Sequence, residues 1–494
     1  MSSPNLNLLS APADALIIKE RPGLGILHIG MGNFHRAHFA VKTAEAVADS
    51  GGNWGIFGYS LRSTTLADQL KEQDLLYSVL DIHPESQRTV IPNIHVGVAG
   101  GPQSLPEIVE LIADGRVKII SLTITEGGYC YSTETGGLDA TRPEIIHDLA
   151  NLDAPKSFIG LLAQGLLLRA SRNSGPVTIA SCDNLTSNGQ TTKKVILEFA
   201  QLLPRELGDK LQAFIESKIS FPNSMVDRIV PATEERHLQL VKERIGIHDC
   251  APVPAEKFSM WVVEDKFIAG RPTWEKVGVI FSDEVSAYET MKLRLLNGSH
   301  SLIAYPGALL GKATVPEARF TPLIESAVRK FMKHEMLPTF QMPSDIQYEP
   351  YVEDLFSRWS NTVLSDKISR IGSDGSIKLP PRITATTIEH YRKGRRAPLT
   401  ALTLAAWIAC VTSIRGFDPG DVALAMKDPA LDYLRSLGDS AATPEQIVEK
   451  LFEDRKIFSG ELGVLVEFKK DISLYLTTIL ERGIENALID AMRD

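Results

Sequence analysis

The chain has 494 residues, of which 44% are hydrophobic and 23% are charged, and its formal net charge is −9. This length predicts two large domains rather than one, and the composition is that of a folded globular protein. The negative charge excludes the broad basic surface by which proteins bind nucleic acids or anionic membranes.

The cysteines and the apolar segments point to a cytoplasmic protein. The four cysteines are widely spaced and form no C-x₂-C pair, which disfavours both a disulfide framework and a zinc ribbon. The first nine residues lack the pattern of a secretory signal. The longest apolar run, 401–411, is shorter than the roughly 18–20 residues that cross a bilayer, and it predicts a buried helix.

Short β-rich segments alternate with amphipathic segments in the first half of the chain. This alternation is typical of a parallel, doubly wound α/β sheet. From residue 286 onward the patterns are helical with almost no strand. The predicted strands lie at 24–29, 54–59, 117–124 and 177–181; the predicted helices lie at 106–113, 158–172, 286–311, 319–335, 347–360, 383–393, 397–413, 443–452 and 464–490. The sequence therefore predicts an α/β domain over 1–283 and a largely α-helical domain over 284–494.

A glycine-rich turn follows the first predicted strand and begins a helix, which is the context of a dinucleotide-binding turn in a Rossmann-type domain. Gly30 permits the tight turn, and Gly32 lets the backbone approach a pyrophosphate at the helix start, which Asn33 and Phe34 form. His35 stands where a third glycine is expected, so the helix cannot approach the strand as closely. A glycine-rich turn without a ligand is the alternative to this predicted cofactor site.

The end of the second predicted strand leaves the choice of cofactor open. A carboxylate that binds the ribose 2′-hydroxyl of NAD is expected there, but no acid appears before Asp68. Arg62 and neighbouring hydroxyls are suited to a 2′-phosphate. NADP therefore stays open beside NAD, which is the predicted cofactor. His35 and His38 share a helix face, yet no third ligand has a suitable spacing, and packing is favoured over a metal site.

Three polar residues stand among leucines where the second domain begins. At about 100° per residue, an α-helix places Asn297 roughly 140° and His300 roughly 80° around from Lys292. Buried polar groups without partners cost about 1–3 kcal/mol each, so this face is better suited to an active site than to a core. Beside a nicotinamide, Lys292 is a candidate general acid-base, Asn297 a donor to an alkoxide and His300 a substrate contact. The alternative is a surface lysine with a capping asparagine and a satisfied histidine.

Tyr288 and Lys292 also form a Y-x-x-x-K pattern, which is the signature of short-chain dehydrogenases. In that family the tyrosine lies much closer to the glycine turn, in a chain about half as long. The match is therefore interpreted as a coincidence. The scattered cysteines disfavour a zinc-dependent alcohol dehydrogenase.

Several long motifs resemble those of the polyol-specific long-chain dehydrogenases, a family that includes mannitol 2-dehydrogenase and fructuronate reductase. The likeness covers nearly the whole chain. It rests on segments 30–38, 121–130, 181–185, 188–189, 225–229, 274–278 and 292–300.

The resemblance implies a Rossmann-type N-terminal domain, a helical C-terminal domain, metal-free hydride transfer at a secondary alcohol, and a monomer. It also implies roles for individual residues. Lys292 matches the general acid-base, and Asn188 with Asn297 matches the oxyanion pair. Glu289 matches a carboxylate that controls proton passage, and Asp227 matches a carboxylate near the reaction centre. Contacts to substrate hydroxyls are matched by His300, Arg370 and Lys378. Thr64 and Thr65 depart from the family pattern, which has acidic residues there, so strict NAD preference does not carry over.

The sequence thus predicts an NAD(P)-dependent dehydrogenase that interconverts a polyol and a ketose, with D-mannitol and D-fructose as the first pair to test. The alternative is fructuronate reductase (D-mannonate oxidoreductase), for which Arg294, Arg370, Lys378 and Arg382 offer partners to a substrate carboxylate. Helix-surface or interdomain salt bridges explain these four cations equally well. A sensor that binds dinucleotide and sugar without chemistry is disfavoured by the intact Lys292, Asn188 and Asn297 set.

Overall fold

The computed structural model describes residues 4–132, 135–441, 443–458 and 460–493. The chain divides into two compact units, 1–286 and 287–494. The sequence analysis had placed this boundary between residues 283 and 284.

Within the described residues, six parallel strands form the main sheet of the first unit. They are β1 (Leu24–Ile29), β2 (Gly55–Ser60), β3 (His95–Gly100), β4 (Ile119–Leu122), β5 (Val177–Ser181) and β6 (Ile219–Ser220). Their spatial order is β3-β2-β1-β4-β5-β6. This order defines the Rossmann arrangement, in which the chain reverses its direction of winding between β1 and β4 and ligands bind at the carboxyl ends of the strands. The predicted doubly wound sheet is therefore confirmed.

Helices connect these strands, and local signals explain their ends. Helix Phe158–Arg172 has the predicted bounds: the Ser157 hydroxyl accepts the Gly160 N–H at its start, and Asn173 ends it in the left-handed region. The other helices are Asn33–Ala37, Phe39–Ser50, Thr65–Glu72, Leu105–Ala113, Pro143–Ala150, Asn188–Leu202, Arg205–Lys218 and Glu235–Ile245.

Smaller sheets complete the first unit. Strands Ser224–Asp227 and Met260–Val263 pair antiparallel, and Met260–Val263 pairs in parallel with Ile280–Phe281. The remaining short strands are Val79–Asp81, Thr89–Val90, Tyr131–Ser132, Gly137–Leu138 and Val253–Ala255. The sequence analysis had missed all of these strands, and also β3 and β6, because their apolar runs are short or interrupted by glycine and proline.

The second unit is largely helical, as predicted, and its described residues form no β-structure beyond an isolated bridge between Thr314 and Lys367. Its helices are Val285–Met291 (which begins at the end of the first unit), Gly298–Leu309, Val315–Arg319, Pro322–Lys330, Tyr348–Trp359, Ile368–Gly372, Gly375–Arg392, Pro398–Val411, Asp421–Leu424, Leu431–Ser440, Pro444–Glu453, Val466–Arg482 and Ile484–Arg493. Helix Pro398–Val411 is buried along its whole length, which confirms the interpretation of the longest apolar run. In the described ranges, no helix combines the length and apolarity needed to span a membrane.

Several helix predictions for this unit were wrong in detail. The predicted helices 286–311 and 319–335 contain π-helical turns at Lys292–Asn297 and Phe331–Met336. The predicted helix 464–490 is broken at Gly483, whose φ is +83°. Helix Gly375–Arg392 begins well before residue 383, because it tolerates Pro380 and Pro381, which pattern analysis treats as breakers.

Candidate active site

The glycine turn lies at the reversal point of the main sheet. Gly30 follows β1 with φ +100°, and a Cβ there would lie 2.0 Å from the Thr123 carbonyl oxygen after β4. Only glycine fits this position. Gly32 differs, because the nearest neighbour of an added Cβ is 3.9 Å away. The protein's own packing does not require glycine at 32, whereas the close approach of a ligand to the backbone would.

A cleft of about 750 Å³ opens beside this turn. Its lining includes Gly30, Gly32 and Arg62, three of the predicted cofactor residues, and also residues 59–63, 123–125, 127–128 and 155–158. The sequence analysis assigned no role to segment 123–128. The Gly127-Gly128 pair that follows a buried strand was the available signal for it.

Asn33 and Phe34, also predicted to bind the cofactor, begin the helix after the turn, but their side chains are engaged elsewhere. The Asn33 amide donates to the Pro231 carbonyl at 3.2 Å and its oxygen accepts from Arg36 at 2.7 Å. The Phe34 ring stacks on His38 with 4.9 Å between ring centres. These contacts occupy the Asn33 amide and one face of the Phe34 ring.

His35, which replaces the third glycine, packs against β1. Its ring stacks on His28 at 3.4 Å, and its Nε2 lies 3.1 Å from Nε2 of His95. All three histidines are buried. Burial lowers the pKa of His28 and of His95 to about 3 and also lowers that of His35, so the cluster is neutral. Packing is the observed role of His35.

Arg62 lines the cleft just after β2 and is exposed. Within the described parts of the chain its guanidinium forms no ion pair. Ser63 and Thr65 beside it hydrogen-bond to each other through their hydroxyls at 3.0 Å. A cation and hydroxyl groups therefore stand where a ribose-binding carboxylate is expected.

Asn188 and Asp227 are buried in the first unit. The Asn188 amide nitrogen lies 3.2, 3.1 and 2.9 Å from the carbonyl oxygens of Ser181, Asp183 and Ser224, and its side-chain oxygen accepts the Ser224 N–H at 2.9 Å. The amide thus ties the end of β5 to the start of strand Ser224–Asp227, the strand that ends in Asp227.

Lys292 and Asn297 are the first and last residues of a π-helical turn in the second unit. The Gly298 N–H bonds to the Leu293 carbonyl, five residues back. The α-helical angles predicted for these side chains are wrong, because a π-turn has more residues per turn and brings Asn297 closer to the face of Lys292. Such turns are rare and occur frequently at functional sites. Glu289 precedes this turn on helix Val285–Met291.

The side chains of Asn297 and His300 have different partners. In the described parts of the chain, the Asn297 side-chain amide makes no hydrogen bond. His300 is buried, and its Nε2 lies 2.8 Å from the indole N–H of Trp359. An indole N–H can only donate, so Nε2 accepts and a neutral His300 carries its proton on Nδ1. The sequence analysis did not identify Trp359.

The four cations considered as carboxylate partners are engaged within the second unit. Arg370 is exposed and bonds to the Asp366 carboxylate through two nitrogens. Arg382 donates to the Ser301 hydroxyl at 2.9 Å, and Arg294 to the carbonyl and hydroxyl oxygens of Thr339.

Lys378, the fourth cation, donates to the Ser373 carbonyl at 2.7 Å and lies 3.4 Å from the Asp374 carboxylate. Burial and the nearby Arg382 lower the pKa of Lys378.

Both units match known sequence families. The profile described as the mannitol dehydrogenase Rossmann domain matches residues 24–276, and that of the mannitol dehydrogenase C-terminal domain matches residues 284–480. A mannitol 2-dehydrogenase of Cereibacter sphaeroides is 37% identical over 78% of this chain and 80% of its own length. A D-mannonate oxidoreductase of Escherichia coli is 35% identical over 93% of both chains.

A solved structure resembles the whole chain. The Pseudomonas fluorescens mannitol 2-dehydrogenase in a ternary complex with NAD and D-mannitol superposes with a TM-score of 0.87 at 33% identity, covering 99% of this chain and 100% of that one. Relatives named for two different substrates are thus similar to this chain to nearly the same degree.

Proposed function

This chain belongs to the mannitol dehydrogenase family, and we propose that it interconverts D-mannitol and D-fructose with NAD. Family membership makes it an oxidoreductase that acts on secondary alcohols. The observation that carries the mechanism is the π-helical turn that begins with Lys292 and ends with Asn297, an amide without a hydrogen-bond partner in the described chain.

The cleft of the first unit fits a dinucleotide. Gly30 is required by the turn itself, and the space at Gly32 is left for a ligand. When bound there, NAD supplies an acceptor for the hydride of the alcohol carbon. The chain's own residues must then manage the hydroxyl proton, the charge on oxygen and the orientation of the sugar.

Lys292 in its neutral form takes the proton of the reacting hydroxyl as a general base, and returns it in the reverse direction. Asn297 donates a hydrogen bond to the alkoxide that forms. His300, whose proton Trp359 directs to Nδ1, donates to a further substrate hydroxyl. Glu289 controls the passage of the proton between Lys292 and solvent.

Asn188 is the second amide of the proposed oxyanion pair, but its N–H groups already face three carbonyl oxygens. Donation to the substrate therefore requires that it give up one of these contacts. We accordingly assign Asn297 the larger share of alkoxide stabilisation. Asp227, Arg370 and Lys378 contact hydroxyls of the substrate in this proposal.

The partners of Arg370 and Lys378 favour a neutral polyol over an aldonate as the substrate. These two cations have the carboxylates of Asp366 and Asp374 beside them. A substrate carboxylate would have to displace those carboxylates, whereas a hydroxyl can accept a hydrogen bond from a cation that keeps its counterion. Arg294 and Arg382 donate to neutral oxygens and do not contribute to this preference. Fructuronate reductase is therefore the second candidate.

Initial rates with fructose and fructuronate, each under NADH and NADPH, test this proposal. We expect the highest kcat/KM with fructose and NADH. Faster reduction of fructuronate would replace the substrate assignment, and absence of turnover with either sugar would remove both candidates. Dinucleotide binding without any turnover would instead support a sensor.

A further inference from the structure

One residue of the cofactor cleft has a backbone conformation that its side chain disfavours. Thr125, which lines the cleft after β4, has φ +68° and ψ 158°. This region of backbone space is occupied almost exclusively by glycine. A β-branched residue stays there only when its surroundings hold it in place.

The Asp183 carboxylate supplies that hold from the neighbouring strand. Asp183 stands two residues after β5, which pairs with β4. One carboxylate oxygen accepts the Thr125 N–H at 2.9 Å, and the other accepts the Ile124 N–H at 3.0 Å. The Tyr129 hydroxyl donates to that second oxygen at 2.7 Å. Two consecutive peptide N–H groups are thus bound by one carboxylate.

Hydrogen bonds of the Asp183 backbone also hold this residue in place. The Asp183 N–H donates to the Ser181 hydroxyl at 3.3 Å, and the Asp183 carbonyl accepts the Asn188 amide at 3.1 Å. The segment that the carboxylate holds supplies Ile124, Thr125, Gly127 and Gly128 to the cleft lining. The ladder between β4 and β5 ends at Leu122 and Ser181, so the contacts of the carboxylate with Ile124 and Thr125 lie beyond it.

We propose that Asp183 is a positioning residue for the dinucleotide: it holds the segment after β4 in its strained conformation and so keeps the cleft preformed for the cofactor. The inference rests on the proposed function, because it takes the cleft to be the dinucleotide site. Without the carboxylate, Thr125 relaxes to an ordinary backbone conformation, and the segment must be reordered each time the cofactor binds. The expected effect is on cofactor affinity rather than on kcat.

The test compares Asp183→Asn in two backgrounds, with NADH binding followed by fluorescence in the purified full-length protein. Asparagine keeps one acceptor oxygen and replaces the other with a donor, so one peptide N–H loses its partner. With Thr125 present, we expect the substitution to raise the Kd for NADH and the KM for NAD by about tenfold while kcat changes by less than about threefold. In the Thr125→Gly background, glycine adopts the same backbone conformation without strain. There Asp183→Asn should raise the Kd for NADH by less than about threefold.

The proposal is overturned if Asp183→Asn raises the Kd for NADH tenfold in both backgrounds, or leaves it unchanged in both. The matched control is Tyr129→Phe, which removes one hydroxyl from the carboxylate and leaves both backbone contacts; its Kd for NADH should stay within about threefold of the parent value. If the parent itself binds no dinucleotide, the proposed function fails, which distinguishes that result from a failure of the present inference.

A second pair of variants keeps the inference testable if Asp183→Asn does not fold. Thr125→Ala retains the conformational strain, whereas Thr125→Gly relieves it. With Asp183 intact, the glycine variant should resist urea at least as well as the alanine variant, although glycine normally destabilises a folded chain. A clearly lower urea midpoint for the glycine variant would show that Thr125 is not strained, and the proposal would fall.

Discussion

Asn188 in the first unit and Asn297 in the second are matched to the same chemical role by resemblance, yet their surroundings differ. The Asn188 amide is fully buried and faces three backbone carbonyl oxygens. The Asn297 amide is partly exposed at the end of a π-turn and makes no hydrogen bond in the described chain. An amide that already has hydrogen-bond partners stabilises the fold, whereas an amide without a partner can donate to a developing negative charge. The difference separates residues that build a site from residues that act in it.

Lys292→Ala should produce the largest effect, because it removes the proposed acid-base from the second unit. We expect kcat to fall by at least about 10²-fold while NADH still binds. Lys333→Ala is the matched control, since Lys333 is an exposed lysine in the other π-turn, Phe331–Met336. A Lys292→Ala variant with the parent's rate and pH-rate profile would show that another group carries the proton.

Asn297→Ala and Asn188→Ala test the comparison directly. Loss of the Asn297 donor should lower kcat by about 10²-fold with little change in the urea midpoint. Loss of Asn188 leaves buried carbonyls and the Ser224 N–H without their partner and should lower the free energy of unfolding by about 3 kcal/mol. Kinetics and urea denaturation of both variants provide the measurement. Equal losses of kcat at parental stability would show that the two amides act alike.

The buried histidines of the first unit should make its stability depend on pH. His28, His35 and His95 are neutral in the folded chain because burial lowers their pKa, but they are protonated in the unfolded chain below about pH 6.5. The unfolded state therefore binds more protons, and stability falls as the pH falls below about 6.5, continuing towards the folded pKa of about 3 for His28 and His95.

Urea denaturation at pH 7.5 and 5.5 measures this loss, which should be up to about 1.4 kcal/mol per histidine for each pH unit below 6.5. His95→Asn should reduce the pH dependence. His334→Asn, which changes an exposed histidine, should leave the dependence as it is. An unchanged dependence in His95→Asn would contradict the account of the cluster.

Arg62→Ala should have the smallest effect, confined to the choice of cofactor. If Arg62 meets a 2′-phosphate, its loss weakens NADP binding by about tenfold and leaves NAD binding within about twofold. Titration calorimetry with NAD, NADP and 2′,5′-ADP provides the measurement. Equal weakening for NAD and NADP would place Arg62 at the pyrophosphate or at the adenine instead.

The sequence analysis predicted the parallel sheet, the helical second unit and the position of the glycine turn, because each depends on local patterns. The alternation of β-rich and amphipathic segments specified four of the six main strands, and Gly30 stood where the turn requires it. His35 showed that the third glycine was missing but not that His28 would stack against its ring. The sequence did not reveal the π-turn at Lys292–Asn297, since a single π-turn within a helix is too short to change the apolar periodicity recognisably.

The sequence by itself determined the types of groups available: a glycine turn, a lysine, two amides and a histidine in a recognisable family order. Only the tertiary structure decided which of these groups already have hydrogen-bond partners within the protein. The Asn188 amide is held because β5 and strand Ser224–Asp227 present carbonyl oxygens to it, and Trp359 fixes the proton of His300 from a helix 59 residues further along the chain. Hydrogen bonds between residues distant in sequence depend on packing geometry, which no local pattern encodes.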